Sequence, residues 1–200
     1  KKDKSVVLTD QEKWFCAARD RAKAIGLGTM FGQGAGAIAA TLGIKKEVAQ
    51  EGVLKFFSAN PKIDELISYM HQFGRDRGFT HTMLGRMRQL HRINCGMKGI
   101  EAMEERQAFN MLIQGSAAEM MKLAILRIDA DPRLKELDSF LCLTVHDELI
   151  SEAPTEYASE VKDIKTELMG DPYRWGPIQL QYPVPIAPDG AFADRWSEAK

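Results

Sequence analysis

Apolar and polar positions alternate along this chain with two different periods. Leu141, Leu143 and Val145 alternate with Cys142 and Thr144, which is the period of a half-buried strand. Apolar character resumes at Leu149 and Ile150, and between the two runs stand His146, Asp147 and Glu148. The pattern predicts a tight β-hairpin over 140–153 whose tip carries three ionisable groups. A solvated turn would account for that tip as readily as a chemical site, and the hairpin alone does not choose.

Elsewhere the period is helical. It predicts a helix over 10–39, with Asp10 as its N-cap and Gly26, Gly28, Gly32 and Gly34 in its second half. Two amphipathic helices follow over 45–57 and 62–77, the second opened by Pro61. Residues 78–98 read as irregular or hairpin-like. A long helix over 101–128 ends before Asp129-Ala130-Asp131-Pro132, and after the hairpin come a helix at about 155–169 and a Pro-rich extended tail. The fold class is α+β: long helices with a small antiparallel sheet that carries the hairpin.

Composition narrows the class without naming it. With 44% hydrophobic and 28% charged residues and a net charge of −1, the chain is that of an ordinary globular protein. No apolar run approaches the ~18 residues of a membrane helix, and the start lacks the apolar core of a signal peptide. Cys16, Cys95 and Cys142 are odd in number and widely spaced, which points to reduced thiols rather than a disulfide frame or a CxxC zinc site. The expectation is a cytoplasmic protein with no membrane partner.

The near-neutral total hides an asymmetry. From Arg75 to Lys98 there are six bases and one acid, whereas from Asp129 to Asp171 there are twelve acids and four bases. A basic stretch in a neutral chain suits a polyanion track, and a solvated face suits it equally well.

Two rows at four-residue spacing add chemistry. Arg19, Lys23, Leu27 and Phe31 stack along one helical face. Two cations followed by two apolar groups match a ligand with a phosphate end and a flat apolar end, such as a nucleoside triphosphate. The neighbouring glycines would allow close approach to that face. Arg106, Asn110 and Gln114 form the second row. Amide and guanidinium donors in line can read the acceptors of a duplex minor groove, which every base pair offers. Routine surface charges and helix–helix hydrogen bonds remain the competing accounts of the two rows.

The segments carrying these residues resemble family A DNA polymerases. "RDRAKAIGLGTMFG" resembles the family's nucleotide-binding helix, "GFTHTMLGRMRQL" its Arg-rich segment and "ERQAFNMLIQGSAAEMMKLA" its minor-groove helix. "VHDELISEAP" is similar to its catalytic hairpin and "DGAFADRWSEAK" to its C-terminal end. The five segments occur in the family's order over most of residues 19–200, and the first eighteen residues fall outside the resemblance.

The resemblance implies template-directed DNA synthesis in a bacterial or phage-infected cell, with primer–template DNA and dNTPs as partners. It implies that Asp147 is the ligand of the catalytic magnesium ions, that Glu148 supports the metal site and that His146 contacts the primer end. Arg19 and Lys23 would hold the triphosphate, with Lys23 joining Asp147, Glu148 and His146 as the catalytic set. Leu27 and Phe31 would pack near the incoming nucleotide and the templating pair. Arg86, Arg88, Arg106, Asn110 and Gln114, with His146, would contact DNA.

Some positions depart from the family pattern. Leu27 stands where an aromatic is usual, Phe31 where a Tyr is usual and Gly26 where an Asn is frequent, so nucleotide selectivity is expected to differ. Leu27 offers no hydroxyl, and discrimination against dideoxynucleotides is the expectation. A two-metal site also needs a second Asp on an upstream strand, and no such motif is present. "TDQE" at 9–12 stands too close to Arg19 to supply it. The expected architecture is an incomplete right-hand fold: fingers at 1–100, including the nucleotide-binding helix, and the C-terminal part of the palm at 101–200. It would work with a polypeptide carrying the upstream palm strand and thumb, and would be inactive alone. A decayed remnant and a non-enzymatic DNA-binding module remain open alternatives. A metal hydrolase on His146 and Asp147 has too few further ligands in a chain with four His.

Overall fold

The computed structural model describes residues 9–175, 178–179 and 184–199. The chain divides into two compact units, Lys1–Gly115 and Ser116–Lys200.

The first unit opens with α1 (Asp10–Met30). Its N-cap is Thr9, not Asp10. Thr9 Oγ1 accepts from the Glu12 amide at 3.3 Å, and the Thr9 amide donates to Glu12 Oε2 at 2.8 Å. The TDQE stretch is therefore a capping box, in which two otherwise orphaned donors are satisfied reciprocally. The Thr9 hydroxyl and amide hold the Glu12 carboxyl below its usual range.

The expected helix over 10–39 is two helices. The chain leaves α1 at Phe31, passes Gly32 at φ +75°, and re-enters helix as α2 (Ala35–Leu42). Gly32 adopts a left-handed conformation that costs most other residues 1–2 kcal/mol or so, and this ends the helix. A further helix, α3 (Lys46–Ala59), completes a small core in which Ile38, Ala39 and Ala49 are buried against Ile25, Leu42 and Val53. Gly28 is buried and lies against Ile38 of α2, where a β-carbon would approach Ile38 Cγ1 to 3.1 Å. Its bare backbone lets α1 pack closely on α2, and Gly28 also lines a cavity together with Leu27 and Phe31.

The helix α4 (Pro61–Arg77) ends at Gly78, φ +73°. It runs into a hairpin of β1 (Phe79–His81) and β2 (Met87–Gln89), with Thr80 opposite Arg88. The helix α5 (Lys98–Asn110) packs on α4. Leu90, Ile93 and Ala108 are buried between them, and the absence of a side chain at Gly74 admits Ile93 and Leu90. Thr80 is fully buried and donates to the Ala108 carbonyl at 3.0 Å, fastening the hairpin to α5. Buried Glu104 accepts from the Arg92 amide at 2.8 Å.

The long helix expected over 101–128 is not one regular helix. A π-helical turn, Met111–Gly115, separates α5 from α6 (Ser116–Ala130), and Pro132–Glu136 forms the short α7. A π turn changes the angular phase of the residues it contains, so Gln114 does not continue the straight row of Arg106 and Asn110.

In the second unit, Ile128 of α6, Leu134 of α7, and Val161, Ile164 and Leu168 of α8 (Ala158–Gly170) form one core. The hairpin of β3 (Phe140–Val145) and β4 (Glu148–Glu152) packs on it through Leu141 and Leu149. Arg127 donates to the carbonyls of Leu168, at 3.1 Å, and Asp171. Two further short strands, β5 (Arg174–Trp175) and β6 (Ile178–Gln179), pair antiparallel. The extended tail read from the prolines falls partly on 176–177 and 180–183, outside the described residues.

The hairpin corrects the alternation read from the sequence. Leu141 pairs with Ser151, but Leu143 pairs with Ile150, so Cys142 is an extra residue in β3. Such a bulge moves everything beyond it to the other face. Leu141 shares the core face with Leu149 and Ser151. Leu143 and Val145 share the opposite face with Ile150 and Phe140, where Phe140 and Leu143 are exposed.

Candidate active site

Each expected site residue has a definite place within its own unit. Arg19, Lys23 and Leu27 lie exposed on one side of α1, and Phe31 is half-buried at its C-cap. Neither Arg19 nor Lys23 has an ion-pair partner among the described residues, in contrast to Lys13, which pairs with Asp10 at 3.1 Å. Two uncompensated cations one turn apart favour an anion.

The row on α5 converges on the same place. Phe31, Gly32, Arg106 and Asn110 line one cavity of about 210 Å³, together with Thr29 and His71. Two polar atoms there are buried without a hydrogen-bond partner, Thr29 Oγ1 and Asn110 Oδ1. Buried polar groups are nearly always satisfied, so this pair marks the cavity as a place for a polar partner. Thr29 and His71 carry no signal in the sequence. Neither belongs to a spaced row, and only folding brings α1, α4 and α5 together. Burial holds His71 below its usual range, opposed by Glu105 and assisted by Arg75.

Gln114, in the π turn, is exposed and does not line this cavity. Arg86 and Arg88 are exposed on the β1–β2 hairpin, and Arg88 Nη2 donates to Gln107 Oε1 at 3.0 Å.

At the tip of the second hairpin, Val145 pairs with Glu148, leaving His146 and Asp147 as the turn. His146 has φ +55°, a left-handed conformation that is uncommon outside glycine and concentrates at functional sites. His146, Asp147 and Glu148 are all exposed. Beneath them, half-buried Lys165 donates to the Leu149 carbonyl at 2.9 Å and ties β4 to α8. Burial lowers the Lys165 ammonium below its usual range, while Cys142 raises it.

Asp147 and Glu148 supply hard oxygen donors, the kind magnesium takes. Among the described residues no group of three or more His, Cys, Asp or Glu is placed to hold a metal ion. The tip therefore fits a magnesium ion held by one or two carboxylates and completed by water and substrate oxygens. It does not form a protein cage.

The model of DNA polymerase family A matches residues 4–198. The chain belongs to that family. The match extends well into the first eighteen residues, which the sequence resemblance had left out. A thermostable DNA polymerase I from Thermus thermophilus is 36% identical over 182 residues, covering 91% of this chain and 21% of the relative. DNA polymerase I of Borreliella burgdorferi is 36% identical over 76% of this chain and 17% of the relative. The POL domain of Pol1 from M. smegmatis, solved with DNA primer–template and dNTP, superposes with a TM-score of 0.80 at 30% identity, over 90% of this chain and 31% of that one. This family A chain thus spans about a fifth of the length of these curated relatives. Among its described residues no helix is long and apolar enough to cross a membrane.

Proposed function

We propose that the chain is the nucleotide- and duplex-binding part of a DNA polymerase that performs template-directed 5′–3′ nucleotidyl transfer, with an upstream segment supplying the second catalytic carboxylate. One observation supports this most directly. The end of the phosphate-binding row, Phe31, and the minor-groove row, Arg106 and Asn110, line the same cavity. An incoming nucleotide and the pair it extends must meet in this way. The Pol1 domain it resembles is described in complex with primer–template and dNTP.

In this reading Arg19 grips a phosphate through two N–H donors, and Lys23 adds a compact positive charge one turn on. Leu27 and Phe31 exclude water beside base and sugar. Arg106 and Asn110 donate to minor-groove acceptors that every base pair offers, so the duplex is sensed by shape rather than sequence. Asp147 would hold magnesium, with Glu148 supporting it, and His146 would meet the primer end. Magnesium, once bound, neutralises charge that develops on the attacking and leaving oxygens. Arg86 and Arg88 follow the backbone.

The exposed face of Phe140, Leu143 and Ile150 suits contact with the rest of a palm, supplied by a polypeptide that also carries the thumb. A palm sheet of two strands leaves apolar surface in water.

Co-expression with a polypeptide bearing the upstream Asp strand and thumb, followed by primer extension, tests the reading. The expected result is magnesium-dependent extension that Asp147→Ala abolishes and that the 200-residue chain does not perform alone. Salt-sensitive DNA binding without extension in any such combination would favour a DNA-binding module or an inactive remnant. Extension by the lone chain would mean that it contains its own second metal ligand.

A further inference from the structure

A row of rings on α4 and β1 plays no part in the site described above. Tyr69 and Phe73 stand one turn apart on α4, with centroids 6.2 Å apart. Phe73 meets Phe79 edge-on at 5.6 Å and His81 edge-on at 5.3 Å. The other face of the β1–β2 hairpin is already engaged: Thr80 bonds the Ala108 carbonyl and Arg88 bonds Gln107. Strand alternation therefore turns Phe79 and His81 the other way, beside their cross-strand partners Gln89 and Met87. Packing of the hairpin on α4 explains why Phe73 and Phe79 are half-buried. It does not explain Tyr69 and Met87, each 62% exposed at the margin of the same cluster.

We propose that this row is a stacking platform for the unpaired bases of a single DNA strand, the template overhang of the polymerase substrate. The proposal rests on the polymerase reading and adds to it a site for the part of the template not yet copied. Charge chooses the occupant. Four residues beyond Phe73 on the same helix stands Arg77, exposed and with no ion-pair partner among the described residues. The segment that forms the hairpin, Arg75 to Lys98, has six bases against one acid, and of these Arg75 and Arg92 are paired with Glu105 and Glu104 of α5. Of the three acids on α4, Glu65 is bonded to Lys62 and Asp76 to Gln72, and Asp64 stands in the first turn, more than one turn before Tyr69. Rings with a cation in line and a positive surround are the composition that single strands use, bases on rings and phosphates on cations. Because every base has a π-face, the platform carries no sequence preference.

The test uses the extension-competent protein and three primer–template duplexes: flush-ended, with an unpaired 5′ overhang of about ten nucleotides, and with an abasic overhang of the same length. Tyr69→Ala is expected to weaken binding of the base-bearing overhang about fivefold or more, since stacking on one ring is worth that much or more. Binding of the flush and abasic duplexes should be unchanged, and Tyr69→Trp should retain wild-type affinity on all three. Equal affinity of wild type and Tyr69→Ala for the base-bearing overhang would overturn the proposal and leave the row as a surface for a protein segment. Equal losses on all three duplexes would also overturn it, because stacking on unpaired bases cannot act on a flush end. Failure of the wild-type protein to bind any of the three would bring down the polymerase reading and the platform with it.

Discussion

Gly32 lies against the aliphatic stem of Arg106: a β-carbon at position 32 would stand 2.6 Å from Arg106 Cγ and 2.7 Å from Cδ. The turn that ends α1 is thus packed directly on Arg106 of α5. No side chain fits between them, and the φ of +75° at Gly32 independently disfavours one.

Gly32→Ala should therefore destabilise the chain by about 1–3 kcal/mol, combining backbone strain with displacement of Arg106. Denaturant unfolding measures this. Gly34→Ala is the control: Gly34 has φ −71° and nothing within 4 Å of a β-carbon. It should change stability by no more than about 0.5 kcal/mol. Equal effects at the two positions would contradict the packing argument.

Lys23 is exposed and has no ion-pair partner among the described residues, so its removal should leave stability alone. In the extension-competent protein, Lys23→Ala should raise the KM for dNTP roughly tenfold or more, the effect of losing one charge-assisted contact. Its Kd for primer–template should hold. Parallel loss of both affinities would refute the phosphate role.

Primer–template affinity should fall steeply with salt and show little dependence on sequence, because phosphates supply most of it. Arg88→Ala should flatten the log–log salt slope by about one unit. It also removes the 3.0 Å bond to Gln107, so Gln107→Ala is the necessary comparison. That variant should leave the slope intact. Titrations over a range of salt concentrations decide the matter.

His71 gives the fold an acid-side weakness. Burial holds its folded pKa below the ordinary value of 6.5, so the unfolded chain binds a proton more readily than the folded one. Stability from this residue is complete above about pH 6.5 and declines as pH falls from there through the depressed folded value. Glu105 opposes the depression and Arg75 assists it. His71→Leu should remove this part of the loss, seen as a flatter dependence of the unfolding midpoint as pH falls below the ordinary histidine value. An unchanged pH profile would show that His71 is already solvated.

The local layout of the candidate site is readable from spacing. Arg19, Lys23 and Leu27 share a face because helical geometry alone brings residues four apart together. His146, Asp147 and Glu148 reach a hairpin tip because an apolar alternation stops and resumes around them. The same local rules failed where a single residue changes the phase. The bulge at Cys142 sends Leu143 to the face opposite Leu141, and the π turn takes Gln114 out of line with Asn110. Neither leaves a mark in composition or period, since both depend on how the whole element is held by its neighbours. The break at Phe31 had its signal in Gly32, but a glycine inside an apolar helical pattern also fits helix packing, which is what Gly28 does. The cavity lay furthest from the sequence. Thr29, His71 and Asn110 come from three helices, and burial of the Thr29 hydroxyl and the Asn110 amide oxygen without partners exists only once α1, α4 and α5 have packed. Local periodicity determines which side chains share a face. Only packing among distant elements determines which of those faces meet, and which polar atoms are left without water.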